Sequence, residues 1–217
     1  MRNFCLFLGG LFFWALNITS GYCSSDENRA RLENLDTNII TAAQKGDPAY
    51  QFIVGFHLMG GFFYDPRYTE EALDWLFKAH KQGNANATAE ISYIYSTKGS
   101  EEYKDPVKAF EYALLSVKRG SIDVLLHLPK MYYWGKGTLP NYSEAYAWSA
   151  TALAVSDNEN FRTEATELLD EIRCKMTDPE LSKAQVLAEK HFKSFRKART
   201  KWKNTSMYKT LSDYYGL

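Results

Sequence analysis

The sequence predicts an all-α fold in which helical hairpins stack into an α/α superhelical solenoid. Three glycines, Gly46, Gly83 and Gly120, recur at an interval of 37 residues. An alanine column and an aromatic column follow nearly the same interval, at Ala72, Ala109 and Ala145 and at Trp75, Tyr112 and Trp148. This period is typical of hairpin units that bury their apolar faces only against neighbouring units. The columns therefore predict three repeats over residues 46–156, with the aromatic column in the core.

The first 22 residues have the three-part pattern of a secretory signal peptide. Arg2 precedes an apolar run from Phe4 to Leu16, and the small residues Thr19-Ser20-Gly21 follow. The run is shorter than the ~20 apolar residues of a membrane-spanning helix, which is the alternative interpretation. We therefore expect export, with cleavage near Gly21 to Cys23.

Few cysteines remain after such a cleavage. Cys5 leaves with the signal, Cys174 stays, and Cys23 stays only if cleavage precedes it. The chain therefore has no disulfide framework, and we expect its stability to come from packing. A Cys23–Cys174 bridge is left open by the sequence.

The elements follow in order along the chain. Residues 23–45 contain an N-terminal helix, from Asp26 to Ala43, with its apolar residues on one stripe. In each repeat a polar residue after the glycine caps the first helix, and the second helix ends at the next glycine. The expected caps are Asp47, Asn84 and Ser121.

A further column lies nine residues after each glycine, at Gly55, Ser92 and Pro129. The two small residues predict a close crossing of helices. The proline predicts a kink in the first helix of the third repeat, because it removes a hydrogen bond.

Residues 157–204 are predicted to form C-terminal capping helices. One helix runs from Asn158 to Cys174, and Thr177 with Glu180 forms a capping box before a long helix that reaches about Trp202. The remaining segment, 205–217, is polar and rich in tyrosine, and it is predicted to be a flexible tail.

The long helix carries the strongest charge signal in the chain. From Ser182 to Lys209 there are nine Lys or Arg residues and one acid, Glu189. The pattern allows a solvated helix face that balances an acidic body, or a site for an anionic membrane surface. The second interpretation assigns binding to Lys190, Lys193, Arg196, Lys197 and Lys201, and lets Phe192, Phe195 and Trp202 dip into the membrane interface. No nucleic-acid partner is expected, because the signal pattern predicts export.

The repeats resemble Sel1-like repeats, which are related to the tetratricopeptide type. The resemblance spans about Ala42 to Ala188. It rests on Lys45-Gly46-Asp47-Pro48-Ala49, on Gln82-Gly83-Asn84-Ala85-Asn86-Ala87, and on Met131-Tyr132-Tyr133-Trp134-Gly135-Lys136-Gly137 running into Tyr142-Ser143-Glu144-Ala145-Tyr146-Ala147-Trp148. It implies a superhelix that acts as an adaptor for other proteins and, for a bacterial exported member, a periplasmic or secreted location. A cysteine-rich branch of the family binds β-lactams, but this chain lacks the cysteine pairs of that branch.

No motif for catalysis is present. The chain has no H-E-x-x-H, no phosphate-binding glycine loop, no G-x-S-x-G and no paired C-x-x-C, and its histidines lack metal-ligand spacing. We therefore expect no enzyme activity, no cofactor and no metal. The leading hypothesis is an exported interaction scaffold with a protein partner. The alternatives are a hydrolase or other enzyme that uses the solenoid groove, and an envelope-attached protein held by the basic helix.

The resemblance also indicates where a partner binds, because the first helix of related hairpins lines the concave face. The residues seven and ten positions after each glycine differ most between repeats, unlike residues of a shared core. This pattern predicts partner contacts at Phe56, Tyr93, His127 and Lys130. Ordinary packing is the alternative for Phe56 and Tyr93.

Overall fold

The computed structural model describes residues 35–60, 68–99 and 101–216. Within these ranges the chain forms ten α-helices and no β-strand, which confirms the predicted all-α class. The helices are α1 (Thr37–Gln44), α2 (Pro48–Leu58), α3 (Thr69–Lys81), α4 (Ala85–Tyr93), α5 (Pro106–Arg119), α6 (His127–Trp134), α7 (Tyr142–Val155), α8 (Glu159–Arg173), α9 (Asp178–Lys203) and α10 (Ser206–Tyr215). The signal segment, Cys23 and the first part of the predicted N-terminal helix lie outside the described residues.

The helices stack as the 37-residue period predicts. The hairpins are α2 with α3, α4 with α5, and α6 with α7, and α3 packs on α4 to join the first two. The glycines that separate the units, Gly46, Gly83 and Gly120, have φ angles of 99°, 88° and 94°. A left-handed residue at the end of a helix favours glycine, so the period marks positions where the backbone must turn between units.

The first helices of repeats one and two start at the predicted caps. The side chain of Asp47 accepts a hydrogen bond from the Ala49 N–H at 2.9 Å, and the side chain of Asn84 accepts one from the Ala87 N–H at the same distance. These bonds satisfy N–H groups that have no partner within a helix.

The third repeat starts differently from the prediction. Ser121 caps a turn instead of a helix, since its hydroxyl accepts from the Asp123 N–H at 3.2 Å. Helix α6 begins only at His127, so Pro129 lies in its first turn. A proline costs little there because first-turn N–H groups have no partner in the helix, so Pro129 removes no hydrogen bond within α6 and the reason given for a kink does not apply.

The column that contains Gly55 and Ser92 brings the two helices of a hairpin together, as predicted. A Cβ atom on Gly55 would lie 2.8 Å from Leu76 Cγ and 3.1 Å from the Ala72 carbonyl oxygen. In the second repeat the Ser92 hydroxyl donates to the equivalent carbonyl, that of Ala109, at 2.8 Å. A larger side chain at either position would push the helices apart.

The C-terminal helices do more than extend the stack. Helix α8 packs on α7, whereas the 26-residue helix α9 lies across both α7 and α5. The predicted capping box is present at its start, between Thr177 and Glu180. Helix α9 therefore bridges the second and third repeats.

The last helix differs from the sequence expectation of a flexible tail over 205–217. Helix α10 occupies this segment, and the Thr205 hydroxyl caps it by accepting from the Tyr208 N–H at 3.1 Å. Its Leu211 is buried in the same core cluster as the first repeat, and the helix packs on α2. The tyrosine-rich, polar composition of this segment predicts a tail because composition does not show that α2 offers an apolar surface for the helix to pack on.

Candidate functional site

The predicted partner face begins at Phe56, and α10 lies against this residue. The Phe56 ring meets the Tyr215 ring edge-on, with centroids 6.2 Å apart, and stacks on Phe52 at 5.6 Å. Next to it, the Tyr214 hydroxyl and His57 Nε2 lie 3.0 Å apart in a hydrogen bond. This part of the predicted face is therefore in contact with the C-terminal helix of the same chain.

Tyr93 and His127 pack against each other between α4 and α6. Their ring centroids lie 5.1 Å apart, and the Tyr93 hydroxyl donates to the Asp123 carbonyl at 2.5 Å. Burial raises the pKa of Tyr93 well above its usual range. Burial, with help from Lys130 and Lys136, lowers the pKa of His127 to about 4. Both side chains are thus neutral at physiological pH and contribute to packing between repeats.

Lys130 forms an ion pair with Glu164, which links α6 to α8. The structure thus places Tyr93, His127 and Lys130 on neighbouring helices, with Phe56 beneath α10. Each of the four contacts another part of the chain, so a partner would have to compete with an internal contact. Their role as partner contacts stays a prediction.

The predicted basic surface lies on the solvent side of α9. Its five cations are all exposed: Lys190, Lys193, Arg196, Lys197 and Lys201. Of these, Lys193 has an ion pair within the described part of the chain, with Glu189 at 3.8 Å. Phe195 and Trp202 are buried in the core instead of facing outward, so the prediction that they dip into a membrane is wrong.

A trough runs along the inner edge of this basic surface. Its central section is a cavity of about 570 Å³ between α9 and the end of α7, with Ile122, Val155 and Phe192 among its lining residues. A depression of about 460 Å³ continues from it toward α8, and another of about 630 Å³ continues over α9 to Lys197 and Lys201. We call these three sections the α7–α9 trough.

A second surface was missed by the sequence analysis. Where α6 connects to α7, the loop residue Leu139 is 84% exposed, Trp134 at the end of α6 is 53% exposed, and Tyr142 at the start of α7 is also exposed. We call these three residues the loop edge. Its sequence signal is the motif Gly135-Lys136-Gly137 with apolar residues on both sides, a pattern that by itself predicts only a repeat loop.

Backbone contacts fix this loop in place. The Asn141 N–H donates to the Tyr132 carbonyl at 2.9 Å, which closes the loop. A Cβ atom on Gly137 would lie 1.9 Å from the Pro106 carbonyl oxygen, so only glycine allows the loop to pack on α5 this closely. The loop edge therefore presents apolar side chains from a defined backbone.

The polar cluster between the first two repeats is a structural link. Arg119 Nη1 donates to the His80 carbonyl at 3.0 Å and to the Thr88 hydroxyl at 2.6 Å. Burial, followed by the positive charge of Arg119, lowers the pKa of His80 to about 4.

The described residues contain no group of three or more His, Cys, Asp or Glu side chains that could hold a metal ion. None of the described helices is both long enough and apolar enough to cross a bilayer.

No family model matches the chain, and no curated protein matches it. Among solved structures, it is similar to a protective antigen of uropathogenic Escherichia coli strains with an SLR fold, at 18% identity over 84% of this chain and a TM-score of 0.39. The chain spans about half of that protein's length, 52%. It is also similar to a Sel1 repeat protein from Oxalobacter formigenes, at 23% identity over 62% of this chain and 96% of that chain, with a TM-score of 0.49. Both structural neighbours are Sel1-type repeat proteins. The description of this chain as stacked helical hairpins is based on its own helices and their contacts.

Proposed function

We propose that this chain is an exported interaction scaffold that binds a protein partner through its loop edge. The observation that carries the proposal is the exposure of Leu139 and Trp134 on a loop whose backbone is fixed. Clustered exposed apolar side chains are typical of interaction sites, and rigid aromatic anchors often dominate binding energy. A partner with a complementary apolar surface would bury them at little cost in conformational entropy.

The arrangement of polar residues favours a scaffold over an enzyme. Hydrolysis needs a nucleophile, a base and an orienting group within hydrogen-bond reach of one another in an open groove. The polar cluster of His80, Thr88 and Arg119 instead has its hydrogen bonds directed to joining two repeats. The exposed surfaces of the third repeat and of α9 are extended and mixed in polarity, which suits docking of another protein.

A pull-down from envelope extract tests the partner site. The variants Trp134→Ala and Leu139→Ser should lose the captured partner without a change in melting temperature, because both side chains are exposed. Val186→Ser is the matched control, since Val186 is a 71% exposed apolar residue on α9 that is not part of the loop edge. Equal capture by the wild type and both loop variants would contradict a site at the loop edge.

The export part of the proposal is supported by the signal pattern at the N-terminus. We expect the mature protein, in the periplasm or outside the cell, to begin between Tyr22 and Ser25. N-terminal sequencing of the protein from cells checks this. A chain that begins at Met1 or Arg2 would favour a retained anchor instead.

A second candidate function is attachment to an anionic membrane surface through α9. It is favoured by the exposure of the five cations, whereas the burial of Phe195 and Trp202 leaves Phe192 as the one predicted aromatic anchor that is not buried, so the attraction is mainly electrostatic. Such attraction contributes about 1 kcal/mol for each basic residue near the surface and weakens with salt. In a vesicle sedimentation assay, equal binding to neutral and anionic lipid, or binding that salt does not change, would refute this candidate.

A further inference from the structure

The α7–α9 trough combines an apolar lining with an excess of positive charge. In its central section Ile122, Val155 and Phe192 supply apolar surface, and Ile122 is 39% exposed. Three cations line the same section, all from α9: Arg196, Arg199 and Lys203. One acid, Asp157, lines it as well. The central section therefore has a net positive charge next to an apolar surface.

The cations of the trough are held in place but not neutralised. Arg199 Nη1 donates to the Gly120 carbonyl at 3.2 Å, and its guanidinium lies 5.3 Å from the centre of the Tyr208 ring. Lys203 lies over the same ring at 5.8 Å, and Arg196 lies over Phe192 at 5.5 Å. Within the described ranges none of the three cations forms an ion pair with a carboxylate. Cations positioned by rings and carbonyls keep their charge available for an incoming anion.

The shape of the trough suits an extended chain. The central section shares Ile122 and Val155 with the depression toward α8, and shares Arg196 and Thr200 with the depression over α9. The three sections thus form a continuous path that crosses the α7–α8 turn and then α9. Its length and its open ends fit several residues of a peptide better than a compact small molecule.

We propose that the α7–α9 trough binds an acidic segment of a partner protein that inserts one bulky apolar side chain between Ile122 and Phe192. Carboxylates of the segment pair with Arg196 on the rim and with Lys197 and Lys201 beyond it. The apolar side chain fills the central section, which gives the segment a fixed register. This site lies at the end of α7 opposite the loop edge, about 20 Å away at 1.5 Å per helical residue. A scaffold with both surfaces can hold two partners at once.

The apolar lining beside the cations favours a peptide over other anionic ligands. A flat membrane surface contacts the exposed lysines of α9 but does not fill the concave central section between α9 and the end of α7. Nucleic acid pairs with the cations, and its bases stack on rings such as Phe192, but it has no bulky aliphatic group to pack against Ile122 and Val155. A peptide satisfies both parts of the site together.

Fluorescence anisotropy with a designed probe tests the proposal. The probe is a short fluorescein-labelled peptide in which glutamates flank a single phenylalanine, titrated with the full-length mature protein at an ionic strength of ~0.1 M. Arg196→Glu should weaken binding about tenfold or more, because it replaces an attractive charge with a repulsive one at the site. Lys190→Glu is the matched control, since Lys190 is an exposed cation on the same helix that does not line the trough. It should change the affinity less than about threefold, because Lys190 lies more than one helical turn before Arg196 and ~0.1 M salt weakens interactions between exposed charges over ~10 Å.

A second pair of measurements tests the apolar part of the site. Ile122→Ser should weaken the phenylalanine probe but leave a probe with alanine in that position unchanged. Leu139→Ser should leave both probes unchanged, so this proposal and the loop-edge proposal can fail independently. Equal loss in Arg196→Glu and Lys190→Glu, or no preference for phenylalanine, would overturn the proposal. So would binding of duplex DNA or phosphatidylglycerol vesicles that depends on Arg196 while the peptide does not bind.

Discussion

Two tryptophans of the aromatic column, in the first and third repeats, lie in different surroundings. Trp148 is 5% exposed, and its ring stacks on that of His191 of α9, with centroids 4.2 Å apart and planes 14° apart. His191 is held there by a 2.8 Å hydrogen bond with Glu144. Trp75 is only half-buried, and its exposed face is covered by Lys78, whose Nζ lies 4.2 Å from the ring centre.

The difference shows that the repeat period determines where a residue lies in its hairpin, whereas packing by a helix outside the repeats determines how deeply it is buried. The 37-residue period places both tryptophans on the second helix of a hairpin, whereas α9 packs mainly on the later repeats, through α5 and α7. The prediction that the whole column is core holds for Trp148, but Trp75 and Tyr112 are half-buried. Solenoid repeats with similar sequences can therefore differ in energy when a C-terminal helix packs on some of them.

The largest expected effect is the difference between truncating the two tryptophans. Trp148→Ala should lower the free energy of unfolding by about 3–5 kcal/mol, because it opens a cavity between α7 and α9. Trp75→Ala should cost about 1–2 kcal/mol, since that ring is only partly buried and a flexible lysine covers its outer face. Guanidinium denaturation followed by circular dichroism measures both. Equal costs would mean that α9 does not cover the third repeat in solution.

Helix α10 gives the matching comparison at the first repeat. Leu211 is buried against that repeat, and Leu211→Ala should cost about 2–3 kcal/mol, near the lower end for a buried leucine because a terminal helix can relax. Asp213→Ala on the same helix is the control, because Asp213 is exposed. A cost for Leu211→Ala as small as that of the control would indicate the flexible tail that the sequence predicts.

The sequence predicts the hairpins well because their signals are local. Caps such as Asp47 and Asn84 and the capping box of Thr177 bond within three residues, and the glycines act through their own φ angles. The paths of α9 and α10 depend on contacts with helices far away in the chain, such as Tyr215 with Phe56. No local pattern encodes such pairs.

The candidate sites likewise differ in whether local sequence or contacts between distant helices determine them. Exposure of the α9 cations was predictable from their density in one helix, whereas the trough needs the end of α7 beside α9. The inferred partner face at Tyr93 and His127 rested on differences between repeats. Such variation also arises where neighbouring helices meet with unequal side chains, as these two rings do.

Two histidines make the repeats sensitive to acid. Burial lowers the pKa of His127 in the third repeat, and of His80 between the first two, to about 4 from the ordinary 6.5. The unfolded chain takes up a proton below about pH 6.5 that the folded chain accepts only near pH 4. Stability is therefore full above pH 6.5 and falls as the pH is lowered through this window.

The histidine variants separate the two contributions. Between pH 7 and pH 5, where most carboxylates stay charged, His127 should account for a loss of about 1–2 kcal/mol. His127→Gln should flatten that part of the stability profile, and His80→Gln should flatten it further in the double variant. Denaturant midpoints at several pH values measure the slopes. An unchanged slope in His127→Gln would place that histidine in contact with water.

The smallest expected effect tests what covers Trp75 in place of a helix. Lys78 lies one turn after Trp75 on α3, and its ammonium is attracted to the ring face. Lys78→Ala should cost about 0.5–1 kcal/mol, the usual size for a cation–π contact at an exposed site. The indole emission of Trp75 should also shift to longer wavelength, because water replaces the lysine side chain.

Lys81→Ala is the control: it removes an exposed cation from the same helix turn, and no ring contact of Lys81 is found within the described residues. If both variants behave alike, the lysine does not shield the ring and the first repeat leaves its tryptophan open to solvent. If only Lys78→Ala shifts the emission, Lys78 shields the tryptophan of the first repeat from water, as His191 of α9 does more completely in the third repeat.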